Sequence, residues 1–158
     1  MKLIGLGFVF VLALLVSACS GGDSSSSPTS PSGTSANTSA TTNLPFSTVD
    51  LRVGTGAEAT IGRAVTVNYS GWLYNAAGTD NKGTLFDSSL AAGRTPLAFT
   101  VGASNIIPGF SQCVLGMKVG GLRRCVIPPS LAYGSQGSGS AIPPNATLIF
   151  ELELLSVQ

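Results

Sequence analysis

The chain has 158 residues, no histidine, a formal net charge of +1 and only 9% charged residues. Without a basic stripe there is nothing to neutralise a phosphate backbone, which excludes nucleic acid as a partner. Without histidine, Ser–His and Cys–His nucleophile pairs and histidine-ligated metal sites fall away together.

Lys2 is followed by an apolar run from Leu3 to Val16. Roughly fourteen residues is signal-peptide length and short of the ~20 that cross a bilayer as a helix. The run ends Val16-Ser17-Ala18-Cys19, which resembles a bacterial lipoprotein cleavage box. That resemblance makes residues 1–18 a signal peptide and Cys19 a lipidated N-terminus; an ordinary signal peptide cut near Ala18, with Cys19 unmodified, is the other reading. After Cys19, the tether to residue 43 is Ser, Thr, Gly, Pro and Ala apart from Asn37, Asn43 and one acid, Asp23. Such a stretch has nothing to bury and is expected to be a disordered tether, with a mean span near 25–30 Å for about 25 residues.

The folded part is expected over residues 44–158. Thr48 to Val53 reads as an edge strand. Ala64 to Leu73 reads as a strand with Val65, Val67 and Tyr69 on one face. Asn75 to Gly83 is turn-rich, Leu85 to Ser88 a short strand, and Leu97, Phe99 and Val101 share a face of another. From Pro108, Phe110, Cys113, Val114 and Met117 fall at helical spacing, and Gly116 supplies a left-handed stop. Leu122 to Ile127 is strand-like, Gly134 to Gly139 reads as a flexible loop, and Thr147 to Leu154 alternates Leu148, Phe150, Leu152 and Leu154 against Glu151 and Glu153. The two glutamates read as the solvated edge of a terminal strand. Several strands, one short helix and no βαβ rhythm predict an α+β fold, an antiparallel sheet of five to six strands with the helix against one face.

Catalysis by familiar means finds no support in this sequence. The acids of the folded part do not cluster as divalent-metal ligands, and Cys113 and Cys125 are too far apart for a C-x-x-C redox pair. No cofactor is implied. The aromatics Tyr69, Phe86, Phe99, Phe110, Tyr133 and Phe150 gather beside turns. They could be packed core or the walls of an open apolar pocket, and composition does not separate the two.

From about Gly62 to the C-terminus the motifs VNYSGWL, GTLFDSS, IIPGF, GMKVGG, IPPSLAYG and IPPNATLIFELELL follow one another in the order and near the spacing of one family. On these the chain resembles the FKBP family, the macrolide-binding immunophilins that catalyse peptidyl-prolyl cis–trans isomerisation. The resemblance implies a sheet curled around one short helix with the pocket between them. It implies Phe110 as the pocket floor, Tyr69, Phe86 and Phe150 as walls, and Ile106 and Ile107 at the rim. Leu97, Phe99 and Ile142 would form the periphery. The backbone N–H of Ile107 and the hydroxyl of Tyr133 would donate to carbonyls flanking a bound proline. Asp87 would be a buried carboxylate fixing nearby side chains; read alone, it is an acid capping the turn at Ser88 and Ser89. Phe110 stands where the family often has tryptophan, Leu97 where it often has an aromatic, and Ser138 near a common histidine; Arg94 is an uncertain match to a family arginine. The resemblance also sets the Cys125 strand against the Cys113 helix. With Cys19 acylated, a Cys113–Cys125 disulfide is the expectation in an oxidising compartment, against two buried thiols acting as apolar fillers.

The implied function is isomerisation of Xaa-Pro bonds in exported proteins, with macrolides as possible inhibitors. A peptide-binding module with the same pocket and little turnover is the alternative. The implied location is the cell envelope, lipid-anchored, facing the periplasm from the outer membrane if the host is Gram-negative. The chain is expected to be a monomer.

Overall fold

The computed structural model describes residues 44–158. The signal peptide, Cys19 and the tether expected at 1–43 lie outside the described residues. Six strands form one antiparallel sheet: β1 (Ser47–Arg52), β2 (Ala64–Tyr74), β3 (Lys82–Ser88), β4 (Leu97–Thr100), β5 (Leu122–Ile127) and β6 (Leu148–Val157). The order across it is β1-β5-β6-β2-β3, with β4 also paired to β2. The one α-helix among the described residues, α1 (Pro108–Val114), packs against β5 and β6. This is the α+β architecture that the alternation and the single helical stretch predict.

β2, β5 and β6 turn alternate residues to the core, as the period of two requires. Val65, Val67, Cys125, Ile127, Leu148, Leu152 and Leu154 are all buried in the core between sheet and helix. Strand register sets one row across this inner face: Asp87 opposite Gly71, Gly71 opposite Phe150, and Phe150 opposite Cys125. That row carries the pocket at one end and the helix anchor at the other.

Two expectations change. The glutamates of the last strand are not at a sheet edge, because β6 pairs with both β5 and β2. Glu151 is instead ion-paired on the outer face, to Lys82 at 2.6 Å and to Arg124 at 2.8 Å, and Arg124 also reaches Asp80 at 2.8 Å. The loop after Tyr133 is closed rather than loose: Ser138 and Ile142 exchange backbone hydrogen bonds at 2.8 and 3.1 Å.

The helix is short for identifiable reasons. Pro108 occupies its first position, where a missing N–H costs nothing. It stops at Val114 because Leu115 is extended and Gly116 turns left-handed at φ +75°. Met117, placed by its spacing on the helix face, lies past this stop but is still buried. Gly109 lets α1 approach β5, since a Cβ there would fall 2.3 Å from the Ile127 Cγ2. Behind it the Cys113 and Cys125 sulfurs are bonded, with Cα atoms 6.0 Å apart.

Candidate functional site

Phe110 projects from the first turns of α1 and meets three rings nearly edge-on. Its centroid lies 5.7 Å from Tyr69, 5.5 Å from Phe99 and 5.3 Å from Phe150. Phe86 adds a further edge-to-face contact with Phe150 at 5.5 Å. These are the geometries that the aromatic quadrupole favours. Gly71 makes the last one possible: a Cβ there would stand 2.7 Å from both the Phe86 and Phe150 rings.

The rings do not close over one another. They leave a cavity of about 200 Å³, lined by Tyr69, Phe86, Asp87, Leu97, Asn105, Ile106, Ile107, Phe110, Tyr133 and Phe150. All eight residues expected to form the pocket are therefore brought together, with Leu97 of the expected periphery beside them. Phe99 stands behind Phe110 in the core, and Ile142 is buried in the loop that Ser138 closes; neither lines the cavity. Asn105 does, and the sequence reading missed it. As a lone polar residue in a turn it carries no periodicity, and only its position just before Ile106 and Ile107 could have flagged it.

One side of the cavity is polar and fully engaged. The Tyr69 hydroxyl donates to Asp87 Oδ2 at 2.6 Å. Asp87 Oδ1 accepts from the Arg94 guanidinium and from the Ser88 N–H. The turn-capping role and the side-chain-fixing role thus coexist, and Arg94 supplies the cation on Asp87. The carboxylate is not buried as expected, since 37% of the Asp87 side chain is exposed; it lies on the outermost paired segment of β3. Burial alone would raise its pKa, but the hydrogen bonds from Tyr69 and Arg94 and the Arg94 charge outweigh this and hold it below its ordinary value. Burial, and then the hydrogen bond to Asp87, push Tyr69 up to about 12. Burial followed by the nearby Asp87 charge raises Tyr133 as well.

Two donors at the cavity are free. Among the described residues neither the Ile107 N–H nor the Tyr133 hydroxyl makes a hydrogen bond. No group of three Cys, Asp or Glu stands together as a metal site among the described residues. The arrangement can therefore receive a compact apolar ring on Phe110 and offer an N–H and an O–H to carbonyl groups beside it. It holds no positioned nucleophile and no group poised to exchange protons near neutral pH.

Comparison with known proteins agrees with this geometry. Residues 56–155 match the family described as FKBP-type peptidyl-prolyl cis-trans isomerase. An FK506-binding protein of Neisseria meningitidis serogroup A is 49% identical over 108 residues, which is 68% of this chain and 92% of that protein. The crystal structure of a peptidyl-prolyl cis-trans isomerase from Pseudomonas syringae pv. tomato superimposes with a TM-score of 0.58 at 33% identity, covering 72% of this chain and 75% of that one. FkpA from Escherichia coli gives 0.60 at 38% identity, over 72% of this chain and 48% of FkpA. With a matched family over most of its folded part and a relative at this identity over 92% of that relative's own length, the chain belongs to the FKBP-type peptidyl-prolyl cis–trans isomerases.

Proposed function

We propose that the cavity on Phe110 takes the proline ring of an exported protein client and turns the preceding peptide bond while Ile107 and Tyr133 hold the neighbouring carbonyls. The observation that carries this reading is the pairing of an apolar cavity with two donors that have no partner of their own. The barrier to the reaction is loss of amide resonance, about 18–20 kcal/mol, and free Xaa-Pro bonds turn over in tens to hundreds of seconds. The twisted amide has less charge separation than the planar one. An apolar environment therefore disfavours the planar ground state more than the transition state. Shortening a ~100 s event to milliseconds requires roughly 7 kcal/mol. The cavity and two or three oriented hydrogen bonds are adequate to supply it without acid, base or metal.

The FK506-binding proteins among its relatives support a macrolide of the FK506 type as a ligand of the same cavity. The location is carried by the sequence: a leader over residues 1–18, Cys19 behind its cleavage box and a polar tether to residue 43 support a lipid-anchored enzyme of the cell envelope, and the family resemblance supports a monomer. Its clients would be proline-containing exported proteins, met on the periplasmic side of an outer membrane if the cell is Gram-negative. The deciding experiment is isomerisation of a short Xaa-Pro peptide by the full chain, with and without FK506. A rate above background that the macrolide suppresses competitively is expected. A background rate would overturn the proposed role of the cavity. Labelling with a radioactive fatty acid, present in wild type and lost in Cys19→Ala, is the expected result for the anchor.

A further inference from the structure

A second concavity lies on the other side of Ile106. Its volume is about 430 Å³, and it is lined by Gly102, Ala103, Ser104, Pro108, Ser111 and Gln112, with Ile61 and Leu115 at its margins. Ile106 belongs to the walls of both this groove and the proline cavity. The division follows from helical geometry. Ile107 and Phe110 face the cavity, while Pro108, Ser111 and Gln112, at i, i+3 and i+4, face the groove. No lining residue carries a charge. Ile61 and Leu115 leave 76% and 41% of their surface to water. Isolated apolar residues on a surface are ordinary, but these two border one concavity that shares the Ile106 wall with the site.

We propose that this groove is a second subsite for the same client chain, taking an apolar side chain two to four residues from the proline. The inference rests on the proposed use of the Phe110 cavity for proline. A client seated there has its backbone at Ile106, and an extended chain advances roughly 3.3–3.6 Å per residue. Side chains alternate along it, so one of the next few residues points into the groove. A groove without charge gives Lys or Glu no partner and strips some of their water, whereas Leu, Ile, Met or Phe gains contact. The subsite would let an isomerase with few charged contacts prefer unfolded segments, in which prolines and apolar residues are exposed together.

The test compares a short Xaa-Pro peptide, which fills only the cavity, with longer peptides bearing Leu or Lys at each position two to four residues on either side of proline. With the wild-type full chain, Leu at one of these positions is expected to raise kcat/KM about five- to tenfold over Lys, mainly through KM. Ile61→Asp and Gln112→Trp, which respectively charge and fill the groove, are expected to bring that ratio to about one while the short peptide is turned over within twofold of wild type. Indifference of the wild type to every distal position would overturn the subsite while leaving the proline cavity standing. So would a ratio that survives both substitutions, or an equal loss on the short peptide. A dimer at assay concentration that Ile61→Asp dissociates would also overturn it, by giving the groove to a second copy. No turnover of even the short peptide would instead overturn the reading on which this inference rests.

Discussion

α1 is only seven residues long, and its two ends are held in opposite ways. At the front, Pro108 has no N–H to place, the Ile107 N–H is unpaired, and Phe110 turns one face to an open cavity. At the back, Cys113 is bonded to Cys125 and both are fully buried. There Arg123 donates to the carbonyls of Cys113 and Leu115 at 3.0 and 2.9 Å and is itself held by Asp50 at 2.6 Å. A helix leaves orphan donors at its start and orphan acceptors at its end. Here the acceptors are satisfied within the protein, by a cation whose charge also suits that end of the helix, and donor capacity is left for a ligand. So short a helix is unstable alone. The closed back end is what allows the front to stay incomplete.

If that contrast is right, changes at the front alter turnover and changes at the back alter stability. Phe110→Ala has the largest expected effect because it touches both. The ring is 4% exposed and packs against three others, so its removal should cost about 3 kcal/mol of stability and lower kcat/KM at least ~100-fold. Phe110→Leu separates the two, keeping most of the stability and losing most of the turnover. Leucine at wild-type speed would remove Phe110 from the site.

Opening the back end comes next. The bond closes a separation of 12 residues, for which chain entropy gives about 3 kcal/mol. Reduction, or the pair Cys113→Ala with Cys125→Ala, should shift the denaturant midpoint accordingly, while kcat/KM well below the new Tm stays within about threefold. Alkylation of the unfolded, unreduced protein followed by mass measurement should find neither thiol labelled; two labels would leave Arg123 as the principal anchor. Loss of turnover in a still-folded reduced protein would break the contrast, by showing that the front depends on the bond.

The front was far more legible in the sequence than the back. The alternation of Val65, Val67 and Tyr69 and of Leu148 through Leu154 gave the strand faces directly, because a half-buried sheet imposes a period of two. Apolar spacing gave the helix, although Met117 kept the period past a stop that only the backbone at Leu115 and Gly116 enforces. Spacing could not distinguish an open cavity from a closed core among six aromatics. That depends on Gly71, where a missing Cβ admits two rings, and the resemblance to a family supplied what periodicity lacked. The ion pairs were least legible. Glu151 looked like a solvated edge because sequence order places its strand last, whereas pairing places it between β5 and β2. Arg123 gave no signal at all, since two of its partners are main-chain oxygens and its carboxylate partner, Asp50, lies 73 residues away in sequence. Asp87 could be read as a turn cap or as a fixing group, and its exposure could not be read.

That last residue sharpens the contrast within the front itself. Asp87 ties Tyr69 to Arg94 but is turned partly to solvent, so it acts by positioning rather than by touching proline. Asp87→Ala is expected to lower kcat/KM about tenfold and Tyr69→Phe about threefold. The double variant should fall no further than Asp87→Ala, because the Tyr69 hydroxyl acts through the same carboxylate and contacts within one network are not additive. Multiplicative losses would show two independent contributions.

The smallest expected effect is the absence of one. No histidine exists to titrate near neutrality, and the two ionisable groups joined at the cavity are displaced away from it in opposite directions. Asp87, its pKa held below the ordinary carboxylate value, is charged at neutral pH; the stability and positioning it gives are present above its unfolded pKa and are lost only as pH falls through the lower folded value. Tyr69, pushed up to about 12, keeps its donated proton; its contribution is present below the unfolded value near 10 and is lost as pH rises through the folded one. Turnover of a neutral peptide should therefore be level from about pH 5 to pH 9, since both groups keep one protonation state across that span. The expected signature is a flat profile in wild type and in Tyr69→Phe alike, with acid loss confined to pH below about 4. A bell centred near neutrality would mean that a proton moves in the reaction, and rotation held by the Ile107 and Tyr133 donors alone would no longer account for it.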